Sequence, residues 1–180
     1  MKILDSDMSN YKINLHKIKA FAFDVDGVFT DGSLLVDNNG HFLRTYNAKD
    51  GYAVRQAVRN GYHIAVITGG ADISIEYRFK CLGVQDIFLM SEDKIHDFNT
   101  FCTRHNIDAS EVLFMGDDIP DIEIMHNCGV ACCPADAATE TKNAASYISE
   151  MCGGKGCVRD VIEQVMKIQG KWNINANKSE

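Results

Sequence analysis

The sequence predicts an α/β fold: a Rossmann-like doubly wound parallel sheet with a small β-hairpin insertion and no cap domain. Three observations predict it. Short apolar runs without polar alternation recur along the chain, as expected of strands covered on both faces. Most are followed by a helical stretch, the strand–helix alternation that builds a parallel sheet. One Asn-Gly pair between two apolar runs breaks that alternation early and marks a hairpin.

In chain order, residues 1–18 are mixed and polar and read as a short leader with a turn of helix. KAFAFDV (19–25) reads as a buried strand. SLLVDNNGHFLRTY (33–46) divides into two strand-like runs around Asp37-Asn38-Asn39-Gly40. DGYAVRQAVRN (50–60) is amphipathic, with Val54, Ala57 and Val58 on one face and Gly61 as its stop. HIAVIT (63–68) is a strand, ADISIEYRFKCLG (71–83) a helix with a glycine stop, and DIFLM (86–90) a strand. SEDKIHDFNTFCTRHN (91–106) is a helix with Ser91 as its expected N-cap. EVLFMG (111–116) and GVACC (129–133) are strands around a helix at 118–128, and residues 136–145 and 157–168 are helices. The polar tail, 169–180, is expected to be flexible. The whole forms one domain, 1–180, with its core at about 19–168.

The 180 residues suffice to bury about 70% of the surface of the unfolded chain. A net charge of -7 with no Lys/Arg run argues against a nucleic-acid partner. The same charge would repel a phosphorylated substrate, so a local cation must offset it. Seven cysteines, an odd number with no C-x-x-C pair, read as free thiols in a reducing cytoplasm. Cys132-Cys133 read as packing residues. No signal peptide and no apolar stretch approaching 18 residues is present, so no membrane partner is expected. The six histidines lack metal-ligand spacing.

In an open parallel sheet, ligands bind beyond the carboxyl ends of the strands. Asp24, Asp26 and Gly27 follow the first strand, and Thr68-Gly69-Gly70 follow the second core strand. Ser91-Glu92-Asp93-Lys94 and Gly116-Asp117-Asp118, with Asp121 soon after, follow the next two. Each group alone is ordinary loop or cap chemistry; their convergence on one edge is the signal. In extended backbone, Asp24 and Asp26 point the same way unless the chain bends between them. Paired carboxylates repel, and a divalent cation relieves the repulsion. An all-carboxylate set suits a hard ion, magnesium above all. With Ser91 as N-cap, Lys94 falls at N3, where the helix dipole disfavours a cation. It either meets an anion there or is a solvated surface lysine. Thr68 either caps the following helix or, with the Gly69 and Gly70 amides, suits a phosphate oxygen. Together the groups can perform phosphoryl transfer, with one aspartate attacking phosphorus and the other moving protons.

The order D-x-D, T-G, K, G-D-D-x-x-D at successive strand ends resembles the haloacid dehalogenase-like phosphatase superfamily over about residues 19–168. That resemblance implies Asp24 as nucleophile, Asp26 as general acid/base, and Thr68 and Lys94 as phosphoryl ligands. It implies Mg2+ held by Asp24, the Asp26 carbonyl and Asp117, supported by Asp118 and Asp121. Only one hairpin and one helix fit between Asp26 and the strand before Thr68, leaving no room for a cap. An open site can be closed by a neighbouring subunit, and the hairpin, with Leu34, Leu35, Phe42 and Leu43, is available for assembly.

At finer grain, "DVDGVFTDG", "YNAKDGYAVR", "TGG", "GDDIPDIEIM" and "GGKGCVRDVIEQVMKIQGKW" resemble the 3-deoxy-D-manno-octulosonate 8-phosphate phosphatases. These are capless homotetramers of lipopolysaccharide biosynthesis. The resemblance implies a cytoplasmic phosphatase of that sugar-acid phosphate, with Lys49, Asp50, Gly51, Gly69 and Arg78 among the substrate contacts. The family has arginine at the position of Lys49; lysine keeps the charge and loses the planar fork. By itself, Arg78 reads as a solvated helical arginine. Gly153-Gly154-Lys155-Gly156 lacks the nucleotide-loop spacing and reads as a flexible connection, whereas the resemblance brings it to a neighbour's site. The alternatives are a phosphatase of the nine-carbon sugar acid 9-phosphate, a receiver-like phospho-accepting domain, and a noncatalytic interaction module. Asp26 separates the enzyme from the receiver.

Overall fold

In the computed structural model, residues 11–172 are described. A short helix α1 (Tyr11–Asn14) and a 3-10 turn (Leu15–Lys17) lead into β1 (Ala20–Phe23). A two-stranded hairpin follows, β2 (Leu35–Val36) and β3 (Phe42–Leu43), then α2 (Ala48–Arg59) and β4 (His63–Ile67). Next come α3 (Ile73–Lys80), β5 (Asp86–Phe88), α4 (Lys94–His105) and β6 (Val112–Met115). The order closes with α5 (Ile122–Asn127), β7 (Val130–Cys133), α6 (Thr139–Ala144), β8 (Tyr147–Ile148) and α7 (Cys157–Ile168). The main sheet runs β5-β4-β1-β6-β7-β8, every neighbouring pair parallel. The described residues contain no separate cap domain, and no helix among them is long and apolar enough to cross a membrane.

The strand AFAF shows why both sheet faces are covered. Successive side chains point to opposite faces. Phe21 and Phe23 join the core beneath α2 and α7, with Val54, Ala57, Val161 and Val165. Ala20 and Ala22 join the other core, with Phe98 and Phe101 of α4 and Ile124 of α5. Small strand residues on that face make room for the two phenylalanines. Cys132 and Cys133 are buried on opposite faces, as packing residues, and all seven cysteines are free thiols.

Register decides where the chemistry falls. Phe23 pairs with Val66 on one side and Met115 on the other, so β1 and β6 end level and β4 one residue beyond them. The residues just past those ends are tied to the neighbouring strands: the Asp24 amide donates to the Met115 carbonyl at 3.1 Å, Thr68 to Phe88 at 3.0 Å, and Gly116 to Cys132 at 3.2 Å. Asp24, Thr68 and Gly116 therefore share one edge.

Several expectations change. The hairpin at 33–46 forms, but with two residues per strand and a loop over Asp37–His41. The Asp37 carboxylate holds that loop by accepting the Asn39 and His41 amides at 2.8 and 2.9 Å. Ser91 is not the N-cap of α4; Asp93 is, accepting the His96 amide at 3.0 Å, which moves Lys94 from N3 to N1. In the expected leader, Leu15 and Ile18 are core residues; residues 1–10 lie outside the described residues. The tail is fastened at its start. Gln169 Nε2 donates to the Leu15 and Ile18 carbonyls at 2.8 Å each, and Tyr62 donates to Gln169 Oε1 at 2.6 Å. Residues 173–180 lie outside the described residues.

Candidate active site

The chain turns immediately after Asp24. The Val28, Phe29 and Thr30 amides all converge on the Val25 carbonyl, at 3.2, 2.9 and 3.2 Å. Asp26 thus sits in a turn rather than on an extended strand, and the two aspartates do not share a partner. Asp24 is buried; its Oδ1 accepts the Val25 amide at 2.7 Å and its Oδ2 lies 3.1 Å from Lys94 Nζ. Asp26 is held instead by Arg44, from just beyond β3: Nε reaches Oδ1 at 2.8 Å and Nη2 reaches Oδ2 at 2.9 Å.

Asp117 and Asp121 complete an acidic trio with Asp24. One carboxylate oxygen from each lies within 4.8 Å of the other two, the one such group among the described residues. Two glycines make this approach possible. Gly27 has a φ of +82°, and a Cβ there would overlap the Asp117 carboxylate. A Cβ at Gly116 would overlap Asp121. Asp121 is fully buried: its Oδ2 accepts the Asp117 and Asp118 amides at 3.0 and 3.3 Å, and its Oδ1 accepts Lys94 Nζ at 2.8 Å. Asp118 is exposed. The Asp26 side chain is absent from the trio, and Asp121 belongs to it.

The electrostatics are those of crowded carboxylates. Burial, then the neighbouring Asp121 and Asp118, pushes the Asp117 carboxyl up to about 7. Burial and Asp121 likewise raise Asp24, against the pull of Lys94. For Lys94, burial pulls the ammonium down, but Asp24 and Asp121 outweigh it and the net direction is up. Fully ionised, three carboxylates against one ammonium would leave two negative charges uncompensated. Oxygen donors carrying that surplus suit a hard divalent cation.

Of the other sequence-indicated residues, Thr68 is buried at the same edge, its Oγ1 accepting the Gly70 amide at 3.1 Å. A Cβ on the exposed Gly69 would meet open space. The Arg78 guanidinium lies over the Tyr46 ring, 5.6 Å from its centroid, and against Gly51, where a Cβ would collide with it. Lys49 is exposed and borders a groove with Tyr52, Arg159 and Trp172. Asp50 is fully buried and binds the start of α7: its Oδ1 accepts the Arg159 amide at 2.8 Å, standing in for the side-chain cap that Gly156 cannot supply. Its Oδ2 has no hydrogen-bond partner among the described residues, and burial pushes the carboxyl up to about 6.

The stretch Gly153-Gly154-Lys155-Gly156 is not a loose connection. The Gly154 amide donates to the Val28 carbonyl at 2.9 Å, and a Cβ at Gly153 would overlap the Gly27 carbonyl. It therefore braces the turn that carries Asp26. This bracing and the Arg44–Asp26 pair were not legible in the sequence, since neither is a local pattern. The only available signal was the arginine directly after the hairpin run.

A concavity of about 770 Å³ lies at the other end of the strands, bordered by Lys17, His63 and His105, and includes none of the trio. The acidic trio and the strand register set the candidate site at the carboxyl edge, away from that hollow.

Comparison with known proteins gives a consistent family. The haloacid dehalogenase-like hydrolase family matches residues 83–158. The 3-deoxy-D-manno-octulosonate 8-phosphate phosphatase of Escherichia coli K12 is 32% identical over 154 residues, covering 86% of this chain and 82% of that protein. The crystal structure of the Yersinia pestis 3-deoxy-D-manno-octulosonate 8-phosphate phosphatase superposes with a TM-score of 0.88 at 28% identity, covering 92% of this chain and 88% of that one. The Moraxella catarrhalis phosphatase of the same name, in complex with a magnesium ion, a phosphate ion and a KDO molecule, superposes at 0.87 with 28% identity, covering 91% and 94%.

Proposed function

The chain belongs to the haloacid dehalogenase-like hydrolases, alongside the 3-deoxy-D-manno-octulosonate 8-phosphate phosphatases, and from that premise we propose that it is a magnesium-dependent phosphatase of 3-deoxy-D-manno-octulosonate 8-phosphate. The observation that carries the reading is the acidic trio at one sheet edge with Lys94 on two of its members.

In this reading a carboxylate oxygen of Asp24 attacks phosphorus, and the bond to the sugar oxygen breaks as the new Asp24 O–P bond forms. Asp26 gives its proton to the departing oxygen. The resulting Asp26 carboxylate then takes a proton from the water that attacks the aspartyl-phosphate, which returns Asp24 and releases phosphate. Lys94, Thr68 and the Gly69 amide face the phosphoryl oxygens and offset their charge. Asp24, Asp117 and the Asp26 carbonyl would hold magnesium, with Asp118 and Asp121 in support. When bound, the ion would cancel repulsion among the carboxylates and withdraw charge from the phosphoryl group.

Arg78 is the proposed partner of the sugar-acid carboxylate. Gly51 leaves room for that guanidinium, Asp50 anchors the start of α7, and Lys49 offers an exposed charge. The reading includes a homotetramer with sites near subunit boundaries. Supporting it, the hairpin leaves Leu35 67% and Val36 55% exposed, beside Phe42 and Leu43, an apolar surface that a neighbouring copy would cover.

Purified protein with magnesium should release phosphate from the octulosonate 8-phosphate over many cycles, and more slowly from the nine-carbon acid 9-phosphate. Asp24→Asn should stop release while still folding. Retained turnover in that variant would remove Asp24 as nucleophile, and a faster nine-carbon reaction would change the substrate.

A further inference from the structure

Arg44 is an unusual place to spend a cation. Its side chain is only 4% exposed, whereas that of its partner Asp26 is 31% exposed. Burying a guanidinium costs several kcal/mol unless it is fully paired, so an apolar residue at this position would serve stability as well. Each of the three guanidinium nitrogens is instead engaged. Nε and Nη2 each hold one oxygen of Asp26, and Nη1 donates to the Phe42 carbonyl at 3.3 Å. Thr30 Oγ1 adds a longer contact to Asp26 Oδ1, at 3.4 Å. The guanidinium reaches Asp26 by passing Gly70, where a Cβ would lie 3.2 Å from Nη2. A side chain at residue 70 would also meet Ile75 Cδ1 at 2.7 Å, so it would crowd Ile75 first and the guanidinium with it.

Resting on the phosphatase reading above, we propose that Arg44 is the positioning residue for the general acid/base Asp26, and that Gly70 supplies the space through which it acts. A planar fork fixes both the place and the plane of a carboxylate, which a lysine cannot do. Fixed geometry matters for a proton donor because small misplacements are expensive in rate. Arg44 touches the Asp26 side chain and none of the trio carboxylates, and the Asp26 carbonyl sits in a turn held by the Val25 carbonyl, so its removal should disturb proton transfer far more than ion binding.

The test exploits the leaving group. A sugar alkoxide needs a proton as it departs; a 4-nitrophenolate does not. For Arg44→Met, kcat/KM on the octulosonate 8-phosphate should fall roughly 10- to 100-fold, a share of the 10²–10⁴ that a placed proton donor supplies. The fall should appear in kcat with KM little changed. On 4-nitrophenyl phosphate the loss in kcat/KM, which excludes the aspartyl-phosphate hydrolysis shared by both substrates, should stay below about threefold, and magnesium affinity measured by calorimetry within about twofold of wild type. Arg44→Lys should lie between wild type and Met, and it carries the same comparison should the Met variant not fold. Equal losses on both substrates, no loss on either, a loss confined to KM, or weakened magnesium binding would each overturn the inference while leaving the phosphatase reading intact. A wild-type protein that hydrolyses neither compound would overturn both.

Discussion

Lys94 Nζ lies 3.1 Å from Asp24 Oδ2, so the carboxylate expected to attack phosphorus already touches a buried cation. The same ammonium holds Asp121 at 2.8 Å. It therefore joins the end of β1 to the start of α5 while standing where phosphoryl charge would be met.

Lys94→Met should cost about 10²–10³-fold in kcat, the usual loss when a charge-stabilising donor is removed. It should also destabilise the protein in chelator by about 3 kcal/mol, since three carboxylates lose their counter-charge. Phosphate release and urea unfolding in EDTA measure the two effects. A surface lysine would show neither.

Removing divalent ions should make stability fall as pH rises. Asp117 holds its proton up to about 7 in the fold, against an ordinary value near 4. Between about pH 4 and pH 7 the native state binds more protons than the unfolded one, so this contribution is present below that window and lost across it. Magnesium at about 100 times its Kd should restore about 2.7 kcal/mol and flatten the profile. Thermal melts at several pH values, with EDTA or magnesium, check both the sign and the reversal.

Gly27→Ala should lose ion binding along with stability. The backbone there is left-handed at φ +82°, and the new methyl would overlap the Asp117 carboxylate. The strain alone costs on the order of 1–3 kcal/mol. Calorimetry with magnesium and chemical unfolding would separate a strained turn from a displaced ligand.

Asp50→Asn should stabilise the protein at neutral pH. The carboxyl is pushed up to about 6 by burial, so its ionisation opposes folding as pH rises through that value, at a cost on the order of 2 kcal/mol. An asparagine oxygen can still accept the Arg159 amide. The variant should melt higher than wild type at about pH 8 and equally at about pH 4; identical melts at both would show that the carboxyl ionises freely in the fold.

The sheet, seven of the eight strands among the described residues and the acidic edge are readable because each rests on a local pattern. AFAF and VLFM are apolar on both faces, and the aspartates follow them directly. β8 was missed because Tyr147–Ile148 is two residues long and pairs only with the end of β7. Ser91 and Asp93 are equally good caps in sequence, and only the Asp93–His96 bond decides between them. Arg44 was missed because its partner lies 18 residues earlier, across a turn whose course depends on Val25. The resemblance implies Asp50 as a substrate contact; its bond to an amide 109 residues later is non-local and leaves no pattern in the sequence.

The brace that Gly153 and Gly154 apply to the Gly27 turn has a consequence for how the protein is made. By the time the ribosome has translated Asp121, every acidic group of the reaction centre exists, yet the segment that buttresses the Asp26 turn has still to be synthesised. Cys157, whose thiol lies 3.2 Å from the Val28 carbonyl, comes later still. A nascent or prematurely terminated chain would thus carry the reactive carboxylates without the support that shapes them, and competence would arrive only with α7.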